Sequence, residues 1–291
     1  GGITFSLDDK YIFYTKLDSN HRPKKVFRHK IGSKQEEDQL IFEEKDERFT
    51  VGMGGLTSDE KFFLINTSDH STTETHYFSA ETEKINLNLF QKRKDKIKYS
   101  VASWQNYFYL HTNENAPDFK ISRCKHSNLK DLEEFIPAKD GVIIGGLLFL
   151  ENWIIRNEVS DALPKLFIRS LKNNKEEKLI FCSEKVYSPG VAEMQKDRNT
   201  DNVYISYSSP KTNAKTYIYN VKTKEKKLVK EQIIPSGHDP ENYITERLEC
   251  KSHDGRLIPL TITRHKKTKL DGSANVLLYG YSSYGSTNSN S

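Results

Sequence analysis

The chain has 291 residues, 35% of them hydrophobic and 29% charged, with 15 Tyr, 15 Phe and 2 Trp. That aromatic load excludes a disordered chain, and the longest apolar run, residues 141–150, is about half of the roughly 20 residues a membrane helix needs. A net charge of +5, from 45 basic against 40 acidic residues, is small for this length. The densest basic stretches, residues 92–96 and 264–267, are short, so no nucleic-acid surface is expected. Cys124, Cys182 and Cys250 form no CxxC or Cys/His cluster; structural zinc is excluded, and no metal or other cofactor is expected. Three sparse thiols, and no secretion signal at residues 1–5, point to the cytoplasm.

In chain order, one pattern recurs. The first unit reads Ile3-Thr4-Phe5, then Tyr11-Ile12-Phe13-Tyr14, Val26-Phe27 and Leu40-Ile41-Phe42. The second reads Val51-Gly52-Met53, Phe62-Phe63-Leu64-Ile65, Tyr77-Phe78 and Leu87-Asn88-Leu89-Phe90. The third has Tyr99-Ser100-Val101, Tyr107-Phe108-Tyr109-Leu110, Phe119-Lys120-Ile121 and Phe135-Ile136. The fourth has Val142-Ile143-Ile144, Trp153-Ile154-Ile155, Leu166-Phe167-Ile168 and Leu179-Ile180-Phe181. The fifth has Val191-Ala192, Val203-Tyr204-Ile205-Ser206-Tyr207, Tyr217-Ile218-Tyr219 and Leu228-Val229.

The strongest runs start at 11, 62, 107, 153 and 203, spaced 45 to 51 apart. Four short strands per 40 to 50 residues is the signature of β-propeller blades, with boundaries expected near 47, 95, 140 and 186. A β-sandwich would explain the strands but not this longer period. No amphipathic helix competes in residues 1–235.

Beyond residue 235 the texture changes. Residues 247–263 read as strand, Asp254-Gly255 turn, strand. A basic loop follows, and then Asn275-Val276-Leu277-Leu278-Tyr279-Gly280-Tyr281, apolar on both faces as in a central strand of a covered sheet. The expected domains are therefore a partial propeller over 1–235 and, over 236–291, the truncated start of a second domain.

These residues resemble the prolyl oligopeptidase family of serine peptidases, in its oligopeptidase B (protease II) branch. The likeness is carried by "GHDPENYITERLECKSHDGRLIPLTI" and "VLLYGYSSYG", and by "VFRHKIGS", "QLIFEEKDERF", "QKRKDKIKYSV" and "EEFIPAKDG" in the blades. The resemblance implies an all-β propeller of seven four-stranded blades, about five of them present here, leading into the first strands of an α/β-hydrolase domain. It further implies cleavage of short peptides after Arg or Lys by a Ser-Asp-His triad, with the propeller restricting entry to short peptides. The implied partners are short basic peptides and a complementary chain carrying the rest of the catalytic domain.

A hydrolase of this fold needs its nucleophile on a G-x-S-x-G elbow, and that pattern is absent from the 291 residues. Gly280-Tyr281-Ser282-Ser283-Tyr284-Gly285 is G-x-S-x-x-G, with Tyr284 in the small-residue slot. Ser282 stands where the family usually has Gly, and is a departure, not a nucleophile. His238, His253 and His265 read as surface residues. By resemblance, Tyr281 is the one catalytic residue present, a phenolic donor to the oxyanion of the tetrahedral intermediate. The chain alone is expected to be inactive. The alternative is a stand-alone propeller that binds proteins or peptides, which has no use for the hairpin after residue 236.

Overall fold

The computed structural model describes residues 2–81, 84–181, 184–192, 195 and 197–281. They hold 22 β-strands and two single-turn 3-10 helices, Gln35–Glu37 and Pro240–Asn242, with no α-helix among them. Among the described residues no helix is long and apolar enough to cross a membrane. Two compact units divide the chain, Gly1–Lys139 and Asp140–Ser291.

The first unit contains three four-stranded antiparallel meanders. They are β1–β4 (Ile3–Phe5, Tyr11–Leu17, Pro23–Lys30, Gln39–Glu43), β5–β8 (Thr50–Leu56, Phe62–Ser68, Thr73–Ser79, Asn88–Gln91) and β9–β12 (Tyr99–Trp104, Tyr107–Thr112, Lys120–Lys125, Glu133–Ile136). Period-2 alternation on the second strands explains their near-continuous apolar runs. In β6, Phe63 and Ile65 join Phe13 and Val26 of the first sheet, with Phe13 and Phe63 ring centroids 4.9 Å apart. Phe62, on the opposite face, meets Phe108 of the third sheet at 4.9 Å. β6 thus serves two cores.

The first two turns repeat a motif that the strand pattern did not reveal. In Ser6-x-Asp8-Asp9-Lys10-Tyr11 the Ser6 hydroxyl donates to Asp8 Oδ1 (2.7 Å) and accepts from Tyr11 N (3.0 Å). In Thr57-x-Asp59-Glu60-Lys61-Phe62 the same bonds form, at 2.8 and 3.1 Å. Asp9 and Glu60 take left-handed φ values of 56° and 57°. A short polar side chain bonding to backbone nearby stabilises such a turn. In β5, Gly55 (φ 78°) completes a bulge opposite Leu64 and Ile65. A Cβ at the adjacent Gly54 would lie 2.6 Å from Asn66 Nδ2.

The second unit contains β13–β16 (Val142–Leu150, Trp153–Ser160, Leu163–Ser170, Glu176–Lys178) and β17–β20 (Ser188–Val191, Asn202–Ser208, Lys215–Asn220, Lys226–Glu231), both four-stranded meanders. Leu150, Ile155, Ile168, Phe181, Val203 and Tyr219 form the core they share. The run Leu179-Ile180-Phe181 falls just past β16 instead of within a strand; Leu179 and Phe181 are buried and Ile180 is exposed. The fourth sheet also encloses an ion cluster. Arg156, 1% exposed, reaches Glu158 Oε1 (2.6 Å) and Glu176 Oε2 (2.6 Å), with its guanidinium 5.0 Å from the Phe167 ring centre. All five sheets fall on the predicted repeat, and the anchors at 11, 62, 107 and 153 open their strands while Val203 is second in its own.

Candidate functional site

The hairpin expected after residue 236 is present as β21 (Tyr243–Lys251) and β22 (Leu257–His265). Its turn closes by Ser252 N donating to Arg256 O (2.8 Å) and Gly255 N to Ser252 O (3.0 Å). Gly255 has φ 87°, which is why Gly follows Asp254. The Ser252 hydroxyl and the Arg256 N–H both bind Asp254, and these bonds hold its carboxyl below the usual range.

At the hairpin root, Tyr243 stacks on His238 (5.2 Å) and meets His265 edge-on (5.6 Å). His238 Nε2 bonds the Lys211 carbonyl at 2.7 Å, and His265 Nδ1 accepts from Lys267 N. His253 is exposed in the turn. None of the three faces a hydroxyl nucleophile among the described contacts. Beside β21 lies a groove of about 520 Å³ whose walls include Glu184, Lys211, Tyr243 and Arg247. Glu184 Oε1 accepts from Tyr207 OH (2.6 Å) and Thr212 Oγ1 (2.9 Å). Burial works against ionising Glu184, but these hydroxyls and that of Ser209 keep its pKa below the ordinary value.

Tyr281 ends the run 275–281, which was expected to be a covered strand. Here it forms no ladder: Leu277 is 92% exposed and Tyr281 51%. A strand apolar on both faces needs neighbours on both edges and layers on both faces, and no described residue supplies them. Ser282 and the serine-containing stretch after it lie outside the described residues, as does Cys182.

One Ser-His-Asp constellation exists that sequence spacing did not suggest. Ser103 of β9, fully buried, lies 2.9 Å from His126 Nε2 and donates to Asp59 Oδ2 at 2.8 Å. In an acyl-transfer triad the carboxylate binds the histidine, which accepts the serine proton. Here the carboxylate takes the serine proton, so His126 Nε2 must donate to the hydroxyl and cannot act as its base. Burial also pushes the His126 pKa down. The cluster ties the β5–β6 turn to β9 and to the residue after β11; its role is structural.

Among the described residues no group of three His, Cys, Asp or Glu side chains is placed to hold a metal ion. The Cys124 thiol is held neutral, since burial pushes it up to about 11.

Residues 1–232 match the model of the prolyl oligopeptidase N-terminal β-propeller domain. Protease 2 of Moraxella lacunata is 30% identical over 98% of this chain and 41% of its own length. Dipeptidyl aminopeptidase BI of Pseudoxanthomonas mexicana is 29% identical over 98% of this chain and 39% of its own. Among solved structures, oligopeptidase B from Trypanosoma brucei with covalently bound antipain, in its closed form, has a TM-score of 0.90 at 25% identity, covering 98% of this chain and 42% of that one. Oligopeptidase B from Leishmania major shares the fold with a TM-score of 0.92 at 21% identity, covering 100% of this chain and 42% of that one. The chain spans about two fifths of the length of these relatives. Five meanders on a repeat of about 48 residues, together with the match over residues 1–232, establish that this chain belongs to the prolyl oligopeptidase family and carries that family's N-terminal β-propeller domain.

Proposed function

We propose that this chain serves a cytoplasmic serine peptidase that cleaves short peptides after Arg or Lys, and that the 291 residues alone do not hydrolyse peptides. In this reading residues 1–235 are propeller that limits entry to short chains, and 236–291 begin the catalytic domain. Tyr281 is the oxyanion donor, and the nucleophile, Asp and His come from a complementary part of the protein. The observation that carries the reading is the β21–β22 hairpin. Likeness to oligopeptidase B extends through 98% of the chain, past the propeller and into this hairpin. A stand-alone binding propeller would end before it.

The test is a chimera in which this chain replaces the matching stretch of Protease 2 from Moraxella lacunata. The chimera should hydrolyse an arginine peptide ester and react with a fluorophosphonate probe, while residues 1–291 alone should do neither. Tyr281→Phe in the chimera should lower kcat by roughly 10- to 1000-fold. A folded chimera that binds peptides but stays unreactive, or stoichiometric labelling of the isolated chain, would overturn the proposal.

A further inference from the structure

The hairpin leaves one of its two edges open. β21 and β22 form a two-stranded sheet, and no third strand pairs with β21 among the described residues. The phase of the ladder identifies the spare backbone groups. Lys266 N donates to Asn242 O and Ser252 N to Arg256 O, both at 2.8 Å, and between them the register runs without a bulge from Tyr243 to Lys251. Hydrogen-bonded and non-hydrogen-bonded pairs alternate in an antiparallel ladder, so the backbones of Ile244, Glu246 and Leu248 bond to β22. Those of Tyr243, Thr245 and Arg247 aim their N–H and C=O groups away from it, and no other described backbone group bonds them. The Thr245 and Thr263 hydroxyls lie 3.3 Å apart, in keeping with the closer side chains of a non-hydrogen-bonded pair.

This edge faces the groove of about 520 Å³, which residues 243–248 line over roughly 17 Å of extended strand. Glu184, Lys185, Val186 and Lys211 complete the lining. That side is held in place, since Glu184 is tied to Tyr207 and Thr212, and the Lys211 carbonyl accepts from His238 at the hairpin root. The acids of the groove are engaged and its lysines are not. Glu184 accepts from two hydroxyls, and Glu246 accepts from Arg264 Nε at 3.2 Å. Lys185 is exposed and forms no ion pair with a described residue, and Lys211 reaches only Glu241, at 3.9 Å. Arg247 donates to the Asp161 carbonyl, not to a carboxylate. An open strand edge takes up an extended peptide through main-chain bonds, and the side chains beside it set the preference. Here those side chains favour acids.

We propose that the groove beside β21 docks an extended peptide segment with acidic side chains, which adds a third strand to the hairpin. The slot is independent of the peptidase reading: it uses none of the catalytic residues, and its charge preference is opposite to that of a substrate cleaved after Arg or Lys.

Two blocked octapeptides serve as probes, one alternating valine with glutamate and one alternating valine with lysine. Each is titrated calorimetrically at low salt into residues 1–291 and into the folded chimera with Protease 2. The glutamate peptide should bind both proteins, about tenfold tighter than the lysine peptide, and should weaken as salt rises. On binding, amide hydrogen exchange should slow at Tyr243, Thr245 and Arg247, while Ile244 and Glu246, already paired, change little. Thr245→Pro removes one outward N–H and no bond to β22, and should weaken binding by about 3- to 10-fold. The double change Lys185→Glu, Lys211→Glu should turn the preference to the lysine peptide. If Thr245→Pro does not fold, the exchange pattern and the charge reversal decide. No binding, equal binding of the two peptides, no protection at the three alternate amides, or unchanged affinity in folded Thr245→Pro would overturn the proposal. So would binding to residues 1–291 but not to the chimera, which would mean that the rest of the peptidase covers the edge. Peptide-free dimers in sedimentation that Thr245→Pro abolishes would assign the edge to a second copy and overturn it too.

Discussion

Replacing Arg156 by Met should destabilise the second unit by about 3–5 kcal/mol, the usual cost of removing one partner from a buried ion cluster. The figure follows from the surroundings. Arg156 is 1% exposed and its nitrogens make four bonds, to Glu158 Oε1 (2.9 and 2.6 Å) and to Glu176 (2.6 and 3.0 Å). Glu158 is itself 4% exposed, so Met at 156 takes from a carboxylate in the core the guanidinium that bonds it twice. At roughly 2–4 °C per kcal/mol for a unit of this size, Tm should fall by about 6–20 °C. Trp153 lies on the same strand and its indole donates to Asp201, which makes its fluorescence a local reporter during urea unfolding. The triple change Arg156→Met, Glu158→Leu, Glu176→Gln should recover most of the loss, because it removes the charges together. A loss below about 1 kcal/mol for Arg156→Met would refute the reasoning.

Three further outcomes are expected. Burial holds Cys124 at about 11 and Tyr99 at about 12, above their ordinary values near 9 and 10. The stability these neutral groups confer is intact below pH 9 and is lost as pH rises through 11 and 12. Unfolding free energies from urea titrations at pH 8 and 10.5 should therefore differ by about 2–3 kcal/mol, and Cys124→Ala should flatten the profile between pH 9 and 11; a flat wild-type profile would contradict this. Ser103→Ala should cost about 1–3 kcal/mol by stranding Asp59 and His126, and intact-mass analysis should find no fluorophosphonate adduct at Ser103 in the wild type. Gly54→Ala should cost about 1–3 kcal/mol from its 2.6 Å approach to Asn66, whereas Gly52→Ala, with open space at its Cβ, should stay within about 0.5 kcal/mol of wild type or gain slightly.

The repeat was legible because second strands such as β6 are covered on both faces, so runs such as Phe62-Phe63-Leu64-Ile65 are dense enough to stand out at a fixed period. The hairpin was legible from one dipeptide, Asp254-Gly255, whose φ of 87° at Gly explains the choice. The turn motif at 6–11 and 57–62 was available in the sequence, but it is polar and falls between the apolar runs that mark strands. Leu179-Ile180-Phe181 misled because burial needs no ladder: Leu179 and Phe181 fill the core from beyond the end of β16. Residues 275–281 misled for the opposite reason. Apolarity on two faces predicts a covered strand only where the covering layers are supplied.

Side-chain clusters were the least legible feature, because they join residues far apart in sequence: Asp59, Ser103 and His126 span three separate elements. What separates a structural cluster from a binding one is whether its polar groups are already satisfied. In the Ser103 cluster the hydroxyl proton is committed to Asp59 and a lone pair to His126, and the side chain is fully buried. In the Arg156 cluster four N–H bonds tie the guanidinium to two carboxylates, and the same logic makes it a stabiliser, sensitive to single changes and tolerant of joint ones.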